Sequence, residues 1–191
     1  QYSVLDSQKK SVVLLRPYQI HAIEAVKNAS KNRESGYVWH TTGSGKTLTS
    51  YKVSRNLLQI SSIDKTIFVI DRTDLDQQTS QAFSSYAEHD IIDVDSTSDT
   101  SKLINTLYST ERNMIVTTRQ KLTTMLKRFE RWQEYDKNQG KIKKIKNLRI
   151  AFVVDECHRA VSAKTQRELE KFFKNSLWYG FTGTPIFDEN N

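Results

Sequence analysis

Short apolar segments rich in β-branched residues alternate along this chain with longer segments that repeat apolar residues at helical spacing. Segments such as IFVI and IAFVV are apolar at every position rather than at every second position. Strands of this kind are covered by helices on both faces, and their alternation with helices is typical of a parallel sheet. The pattern therefore predicts an α/β fold, a mostly parallel sheet with helices on both faces.

The alternation predicts six strands and six helices. The predicted strands are Tyr37–His40, Thr66–Asp71, Ile91–Val94, Asn113–Thr118, Arg149–Asp155 and Leu177–Thr182. The predicted helices are Pro17–Lys31, Gly45–Ile60, Asp74–Tyr86, Ser101–Tyr108, Arg119–Tyr135 and Ser162–Lys174. No repeat or linker-like composition separates them, so residues 1–191 are expected to form one domain with its fold over about 12–187.

Apolar runs and cysteine content exclude several classes of protein. The longest apolar run, Ile150–Val154, is far too short to span a membrane, so no membrane role is expected. Cys157 is the only cysteine, which excludes an internal disulfide, and the first residues lack the pattern of a secretory signal. These features favour a cytoplasmic protein, in which Cys157 is expected to be a small packing residue.

Positive charge is concentrated in one segment of the chain. The net charge is +7, and residues 121–149 hold ten Lys or Arg against three acidic residues, so the remainder is neutral. A basic segment can neutralise phosphates by releasing counterions, which makes nucleic-acid binding one interpretation. A helix and loop with solvated lysines is the other, and composition does not separate the two.

The segment GSGKT lies between a predicted strand and a predicted helix, which is the setting of a phosphate-binding P-loop. Gly43 and Gly45 permit backbone angles that turn N–H groups toward a polyphosphate. Lys46 is expected to reach the terminal phosphates of ATP, and the Thr47 hydroxyl to bind Mg²⁺. His40 stands where the full P-loop pattern has glycine. The candidate nucleotide-binding loop comprises Thr42, Gly43, Ser44, Gly45, Lys46 and Thr47.

Asp155 and Glu156 follow the predicted strand IAFVV, and ligands of open α/β sheets bind at that carboxyl edge. Asp155 is expected to hold Mg²⁺, directly or through a water molecule. Glu156 is expected to orient and deprotonate the attacking water. With Lys46 these two residues form the candidate catalytic set. An isolated Asp-Glu pair after a strand is more often a turn or a helix cap, but the P-loop favours the catalytic interpretation.

The segments TTGSGKT, DECH and TGTP resemble, in this order, motifs of superfamily 2 helicases. RPYQ, FVIDRTDLDQQ and VTTRQKL extend the similarity to the motor region of the restriction (R) subunit of type I restriction-modification enzymes. The resemblance implies a RecA-like P-loop NTPase domain that couples hydrolysis of ATP to translocation of double-stranded DNA in a prokaryotic protein that cleaves DNA. It also implies partners: a second RecA-like domain of the same polypeptide, and the modification and specificity subunits.

The same resemblance assigns further roles by motif position. Gln19 would read the adenine edge and Arg16 would pack on the base. The residues assigned to the DNA backbone are Arg72, Thr73, Thr117, Thr118 and Gln120. The residues assigned to coupling of nucleotide and DNA are His158, Thr182, Gly183 and Thr184. An RNA-unwinding relative and a non-catalytic P-loop binding module are the alternatives.

The second motor domain and a nuclease domain are expected to lie outside residues 1–191, so little ATP hydrolysis is expected from these residues alone. Among the three tryptophans, Trp39 and Trp178 lie in predicted strands and are assigned to the core. Trp132 lies in the basic segment, and its role is left open between packing and base stacking.

Overall fold

A computed structural model describes residues 2–41, 44–70, 73–88, 90, 93–133, 138–157 and 161–183, and only the backbone over 73–78. The strands are β1 (Ser3–Asp6), β2 (Ser11–Leu14), β3 (Gly36–Trp39), β4 (Lys65–Ile70), β5 (Val94–Ser96), β6 (Met114–Thr118), β7 (Ile150–Val154) and β8 (Leu177–Thr182). The helices are α1 (Pro17–Lys31), α2 (Lys46–Leu58), α3 (Thr73–Ala87), α4 (Thr100–Tyr108), α5 (Arg119–Gln133), α6 (Gln139–Lys146) and α7 (Ala163–Phe172).

Six strands form one sheet in the order β3-β8-β7-β4-β6-β5, and every neighbouring pair is parallel. Parallel neighbours need a crossover connection, and a helix or pair of helices supplies each one. The strands therefore share one carboxyl edge, where β3, β7 and β8 lead into the polar segments predicted to form a site. The predicted α/β fold is confirmed.

Two apolar clusters pack against the two faces of the sheet. Alternate residues of β4 illustrate the division, since Phe68 and Ile70 belong to one cluster and Ile67 and Val69 to the other. Helices α1, α2 and α3 cover the first face, and α4 to α7 cover the second. Because both faces are covered, all six residues of β4 are buried, which explains the absence of polar alternation in its sequence.

The helices have lengths typical of a globular domain. The longest, α1, α3 and α5, contain 15 residues each. Within the described ranges, none of the helices is both long enough and apolar enough to cross a membrane.

Four features differ from the sequence-based expectation. An antiparallel hairpin of β1 and β2 spans Ser3–Leu14, and neither this hairpin nor helix α6 was predicted. Strand β5 begins at Val94, where the predicted strand ended, while residues 91 and 92 lie outside the description. Trp39 is 67% exposed rather than in the core, because β3 is an edge strand that leaves this side chain uncovered. Trp178 is buried as predicted.

Candidate nucleotide-binding site

The loop before α2 contains the predicted glycine-rich segment. Gly45 caps the helix in a left-handed conformation, with φ of 82°. A side chain there would place its Cβ 2.8 Å from Nε2 of Gln19, so the backbone angle and the space both require glycine. Lys46 thus begins a helix at the carboxyl edge of the sheet, and helix N-termini attract anions. Thr42 and Gly43 lie outside the described residues.

Ser44 is held by side chains from three neighbouring positions. Its carbonyl oxygen accepts hydrogen bonds from the Tyr18 hydroxyl at 2.7 Å and from the Gln19 amide at 3.3 Å. Its hydroxyl lies 2.7 Å from Nδ1 of His40 and also contacts the carbonyl oxygen of Thr41. Because a carbonyl only accepts, the one hydroxyl proton of Ser44 goes to Thr41, and Nδ1 of His40 is the donor to Ser44. These bonds fix the position of Ser44 before the start of α2.

Gln19 is buried, and both ends of its amide are bonded within the chain. Its Oε1 accepts the N–H of Arg16 at 2.9 Å. Its Nε2 donates to the Thr49 hydroxyl at 3.0 Å and lies 3.3 Å from the carbonyl oxygens of Ser44 and Gly45. Gln19 therefore supports the P-loop through hydrogen bonds to Ser44 and Gly45. An adenine edge would have to displace these bonds to reach the Gln19 amide. Arg16 is exposed at the N-cap of α1.

The predicted acidic pair follows β7 directly. Asp155 continues the strand pairing by donating its N–H to the carbonyl oxygen of Val69 at 3.0 Å, and its Oδ1 accepts the N–H of Glu156 at 3.0 Å. Glu156 has φ of 45°, a left-handed conformation that residues other than glycine rarely adopt. Backbone strain of this kind persists where surrounding contacts enforce it, and it is concentrated at functional sites.

The Lys46 ammonium group and the Glu156 carboxylate form an ion pair. The Lys46 side chain is 12% exposed and that of Glu156 is 35% exposed, so the pair is partly accessible to solvent rather than buried in the core. Thr47, the next residue of α2, is half-buried. The structure therefore brings the start of α2 and the end of β7 together, as expected from their positions after two strands of one sheet.

Two ionisable groups near Lys46 have shifted pKa values. Burial raises the pKa of Asp155, and the positive charge of Lys46 offsets part of that rise. Burial lowers the pKa of His40, and the charge of Lys46 lowers it further. The His40 ring is 4% exposed, and its Nε2 has no hydrogen-bond partner within the described part of the chain. A neutral imidazole fits this setting best.

The donors at this edge fit Mg²⁺ of the kind that accompanies a nucleotide. No group of three or more His, Cys, Asp or Glu suitable for a metal occurs among the described residues. Mg²⁺ bound with ATP needs no such group, because phosphates and waters complete its coordination around one or two protein oxygens. The Thr47 hydroxyl and the partly desolvated carboxylate of Asp155 offer oxygens of that type.

The carboxyl end of β8 lies beside the P-loop. The carbonyl oxygen of Thr182 accepts the backbone N–H of His40 at 2.8 Å, which extends the pairing of β3 with β8 by one residue. The carbonyl oxygen of Gly183 accepts the indole N–H of Trp39 at 3.3 Å. Two of the predicted coupling residues thus contact the strand that leads into the loop. The other two, His158 and Thr184, lie outside the described residues.

The predicted DNA contacts occupy different environments. Thr117 is buried with its hydroxyl 2.9 Å from that of Thr97. Thr118 is also buried, and its hydroxyl accepts the N–H of Lys121 at 3.4 Å at the start of α5. Gln120 is exposed in the first turn of α5, so it is the one of these three that faces solvent. Arg72 and the side chain of Thr73 lie outside the description.

Sequence reasoning missed the residues that hold the P-loop. Neither Tyr18 nor His40 was given a role, although each bonds Ser44. One signal was present for His40, because a bulky side chain in place of the glycine of the P-loop pattern must pack somewhere near the loop. No signal identified Tyr18, since its bond joins residues 26 positions apart.

Comparison of the sequence with known proteins gives consistent matches. The family model described as SWI2/SNF2 ATPase matches residues 18–191. One relative is the endonuclease subunit of the type I restriction enzyme SauCOLORF180P from Staphylococcus aureus (strain COL). It is 39% identical over 192 residues, covering 100% of this chain and 19% of that protein. The C-terminal part of the type I restriction enzyme MpnIIP endonuclease subunit of Mycoplasma pneumoniae is 33% identical over 172 residues, covering 84% of this chain and 79% of that protein.

Comparison of the fold agrees with these matches. The Sulfolobus solfataricus SWI2/SNF2 ATPase core, solved in complex with dsDNA, superimposes with a TM-score of 0.59 over 93% of this chain and 33% of that chain. Its sequence identity of 22% is low, so this similarity bears on the fold alone. The fold is that of a RecA-like helicase domain.

Proposed function

Because this chain belongs to the SWI2/SNF2 ATPase family, in the branch of type I restriction endonuclease subunits, we propose that it binds ATP with Mg²⁺ and drives translocation of double-stranded DNA. The resemblance drawn from the motifs is confirmed by the family model and by both relatives. The chain spans about a fifth of the Staphylococcus relative. Translocation and DNA cleavage by the complete protein are therefore part of the proposal.

The ion pair between Lys46 and Glu156 carries this proposal. Phosphates bound by Lys46 would lie next to the carboxylate of Glu156, which is where a water molecule must be activated for attack. A general base has to lie within hydrogen-bond reach of the proton it takes, and a water molecule between the bound phosphates and Glu156 would meet that condition. A binding module without catalysis has no chemical need for a carboxylate at that position.

Each residue of the edge has a distinct role in the proposed reaction. Lys46 and the backbone N–H groups at the start of α2 bind the terminal phosphates. Thr47 and Asp155 hold Mg²⁺, which supplies charge neutralisation at the phosphate oxygens. Glu156 orients the attacking water and accepts its proton.

The loop contacts support the same function. Gly45 allows the backbone to pass close to Gln19 in a left-handed conformation, and α2 begins directly after it. Gln19, Tyr18 and His40 fix Ser44, the residue two positions before Lys46, so this part of the loop is held in place before a nucleotide binds. Preorganised donors of this kind are worth more to catalysis than donors that must reorganise.

Double-stranded DNA is the proposed track of the motor. The net charge of +7 and the exposed Gln120 at the start of α5 support contact with phosphates. The Sulfolobus ATPase core of the same fold was solved with dsDNA. The proposal includes the partners expected from the motifs, namely a second RecA-like domain and the modification and specificity subunits, acting in a prokaryotic cytoplasm.

A substitution of Lys46 tests the proposal in the full-length polypeptide. Lys46→Ala should abolish DNA-stimulated ATP hydrolysis and translocation, whereas Lys27→Ala on α1 should retain both. Duplex DNA should stimulate hydrolysis and RNA should not. Unchanged hydrolysis in Lys46→Ala would show that the P-loop serves only as a scaffold. Stimulation by RNA alone would place the protein with RNA-unwinding enzymes instead.

A further inference from the structure

A cleft of about 380 Å³ on the surface of α5 is lined by Thr124, Arg128, Arg131 and Trp132. These positions recur three or four residues apart, so they share one side of the helix. Thr124 and Arg131 are exposed, and Arg128 and Trp132 are half-buried. None of the four has a role in the proposed ATP site.

The cleft combines fixed positive charge with an aromatic surface. One N–H of Arg128 donates to the Ser101 hydroxyl on α4 at 2.9 Å, which holds this side chain against the neighbouring helix. The Nε of Arg131 donates to the carbonyl oxygen of Lys127 at 3.4 Å. A guanidinium group has five N–H donors, and these bonds use one from each arginine. Within the described part of the chain, most donors at the cleft therefore remain for an anionic ligand.

Among the described residues, acidic groups near the cleft offset only part of this charge. Asp99 lies close enough to Arg128 for the arginine to contribute to lowering the pKa of its carboxyl. The Asp99 carboxylate is engaged, however, by the N–H groups of Ser101 and Lys102 at the start of α4. Glu130 is two residues from Arg128 and therefore faces another side of α5.

The cleft continues from the proposed DNA contact at the carboxyl edge of the sheet. Helix α5 begins directly after β6, and Gln120 in its first turn lies one turn before Thr124 on the same side. From Gln120 to Arg131 the helix rises about 17 Å at 1.5 Å per residue. Successive phosphates of one DNA strand are about 3.4 Å apart along the duplex axis, so this row of side chains spans several phosphates.

We propose that this cleft binds the sugar-phosphate backbone of duplex DNA, with Arg128 and Arg131 on phosphates and Trp132 against deoxyribose. The inference rests on the proposed function, which brings duplex DNA to the start of α5. Guanidinium and hydroxyl groups suit contacts that position a duplex without reading its bases. A tryptophan covers the apolar face of a sugar while the arginines hold the charge.

Other basic side chains of residues 121–149 lie on helix α6. Lys141 and Lys144 of α6 sit over the ring of Tyr108, with Nζ 5.2 and 4.4 Å from its centroid. Tyr108 ends the helix that leads into β6, so this cluster lies toward the amino edge of the sheet, opposite the proposed ATP site. The basic side chains of α5 and α6 adjoin along α4, because Arg128 contacts Ser101 and Lys141 donates to Asn105 at 2.9 Å, one turn farther along that helix. Of the two helices, α5 is the one that begins at the carboxyl edge of the sheet, where the proposed DNA contact lies.

Duplex binding tests the cleft, measured by fluorescence anisotropy of a labelled duplex with residues 1–191 and with the full-length polypeptide. The paired change R128Q and R131Q should weaken binding about fivefold per lost phosphate contact near 0.15 M salt. The slope of log affinity against log salt should fall by about 0.9 for each contact. The matched control, K27Q with K31Q, removes the same charge from α1 on the opposite face of the sheet and should change both quantities less.

Tryptophan fluorescence supplies a second measurement. In a W39F background, duplex DNA should quench the emission of Trp132. The additional change W132F should remove that quenching, because the emission of the buried Trp178 should not respond to DNA. The proposed DNA contact at the cleft would be overturned by an unchanged affinity and salt slope in the arginine variant. It would also be overturned if single strands or an acidic peptide bound more tightly than duplex DNA. If duplex DNA did not stimulate ATP hydrolysis by the wild-type full-length protein, the proposed function would be overturned instead.

Discussion

The ammonium group of Lys46 is paired with the carboxylate of Glu156 across the carboxyl edge of the sheet. This contact joins the first residue of α2 to the second residue after β7, which has a left-handed backbone conformation. A triphosphate would compete with Glu156 for the same ammonium group. Binding of ATP and positioning of the general base are therefore linked through one side chain.

Glu156→Gln should separate ATP binding from hydrolysis. The amide removes the competing negative charge, so ATP should bind at least as tightly as to the wild type. It also removes the proton acceptor, so hydrolysis should slow by about 10²- to 10⁴-fold. Equilibrium binding of a fluorescent ATP analogue and steady-state hydrolysis in the full-length polypeptide measure the two effects. Glu168→Gln, on the exposed side of α7, should change neither, and weaker ATP binding by Glu156→Gln would contradict the competition.

Gly45→Ala should destabilise the P-loop. Alanine in a left-handed conformation costs about 1–2 kcal/mol, and its Cβ would press on the Gln19 amide 2.8 Å away. Both ATP affinity and the free energy of unfolding should fall, as measured by nucleotide titration and urea denaturation. Gly140→Ala provides the control, because this glycine lies in α6 with no atom within 4 Å of an added Cβ. It should stabilise the chain by up to about 1 kcal/mol.

The fold was predictable wherever burial covers both sides of an element. The segments that became β4 and β7 are apolar at nearly every position because helices cover both faces of the sheet. The hairpin gave no such signal, since Val12 and Leu14 of β2 are exposed although apolar. Helix α6 was missed because only Ile142 and Ile145 of its eight residues are buried, among lysines typical of a solvated loop.

The site was predictable to the extent that strand ends determine it. Lys46 and Glu156 each follow a strand of a parallel sheet, so their proximity follows from topology. The contacts of Tyr18 and His40 with Ser44 depend instead on how α1 packs beside the loop, which no spacing in the sequence records. The hydrogen bond between the hydroxyls of Thr117 and Thr97 likewise joins two segments that no spacing in the sequence connects.

His40 should make stability depend on pH below neutrality. Burial and the charge of Lys46 hold its pKa below 6.5, so folding disfavours the protonated ring. Above pH 6.5 the ring is neutral in the folded and in the unfolded chain, so it does not oppose folding. As the pH falls below 6.5 toward the lower pKa of the folded state, the unfolded chain takes up the proton first and the free energy of unfolding decreases. The loss for one group is at most about 1.4 kcal/mol per pH unit.

Urea denaturation at pH 7.5 and pH 5.5 measures this effect. The free energy of unfolding should fall more for the wild type than for His40→Gln, which cannot take up the proton. His21→Gln, on the exposed side of α1, should behave like the wild type. Equal pH dependence in the wild type and His40→Gln would assign the pH dependence to other groups.

Asp155→Asn should stabilise the fold at neutral pH while it impairs Mg²⁺-dependent hydrolysis. Burial raises the pKa of Asp155, so the folded state disfavours its charge. The cost is absent below the unfolded pKa of 3.8, grows as the pH rises through the folded pKa, and levels off above it. Asparagine keeps an oxygen that can accept the N–H of Glu156 and carries no charge.

Thermal unfolding of the wild type and Asp155→Asn at several pH values gives the measurement. The melting temperature of Asp155→Asn should exceed that of the wild type at pH 7, and the difference should shrink as the pH falls toward 4. Asp64→Asn is the control of opposite sign, because hydrogen bonds from Arg149 lower the pKa of Asp64 and stabilise its charge. A lower melting temperature for Asp155→Asn at pH 7 would mean that the attraction of Lys46 outweighs burial at this edge.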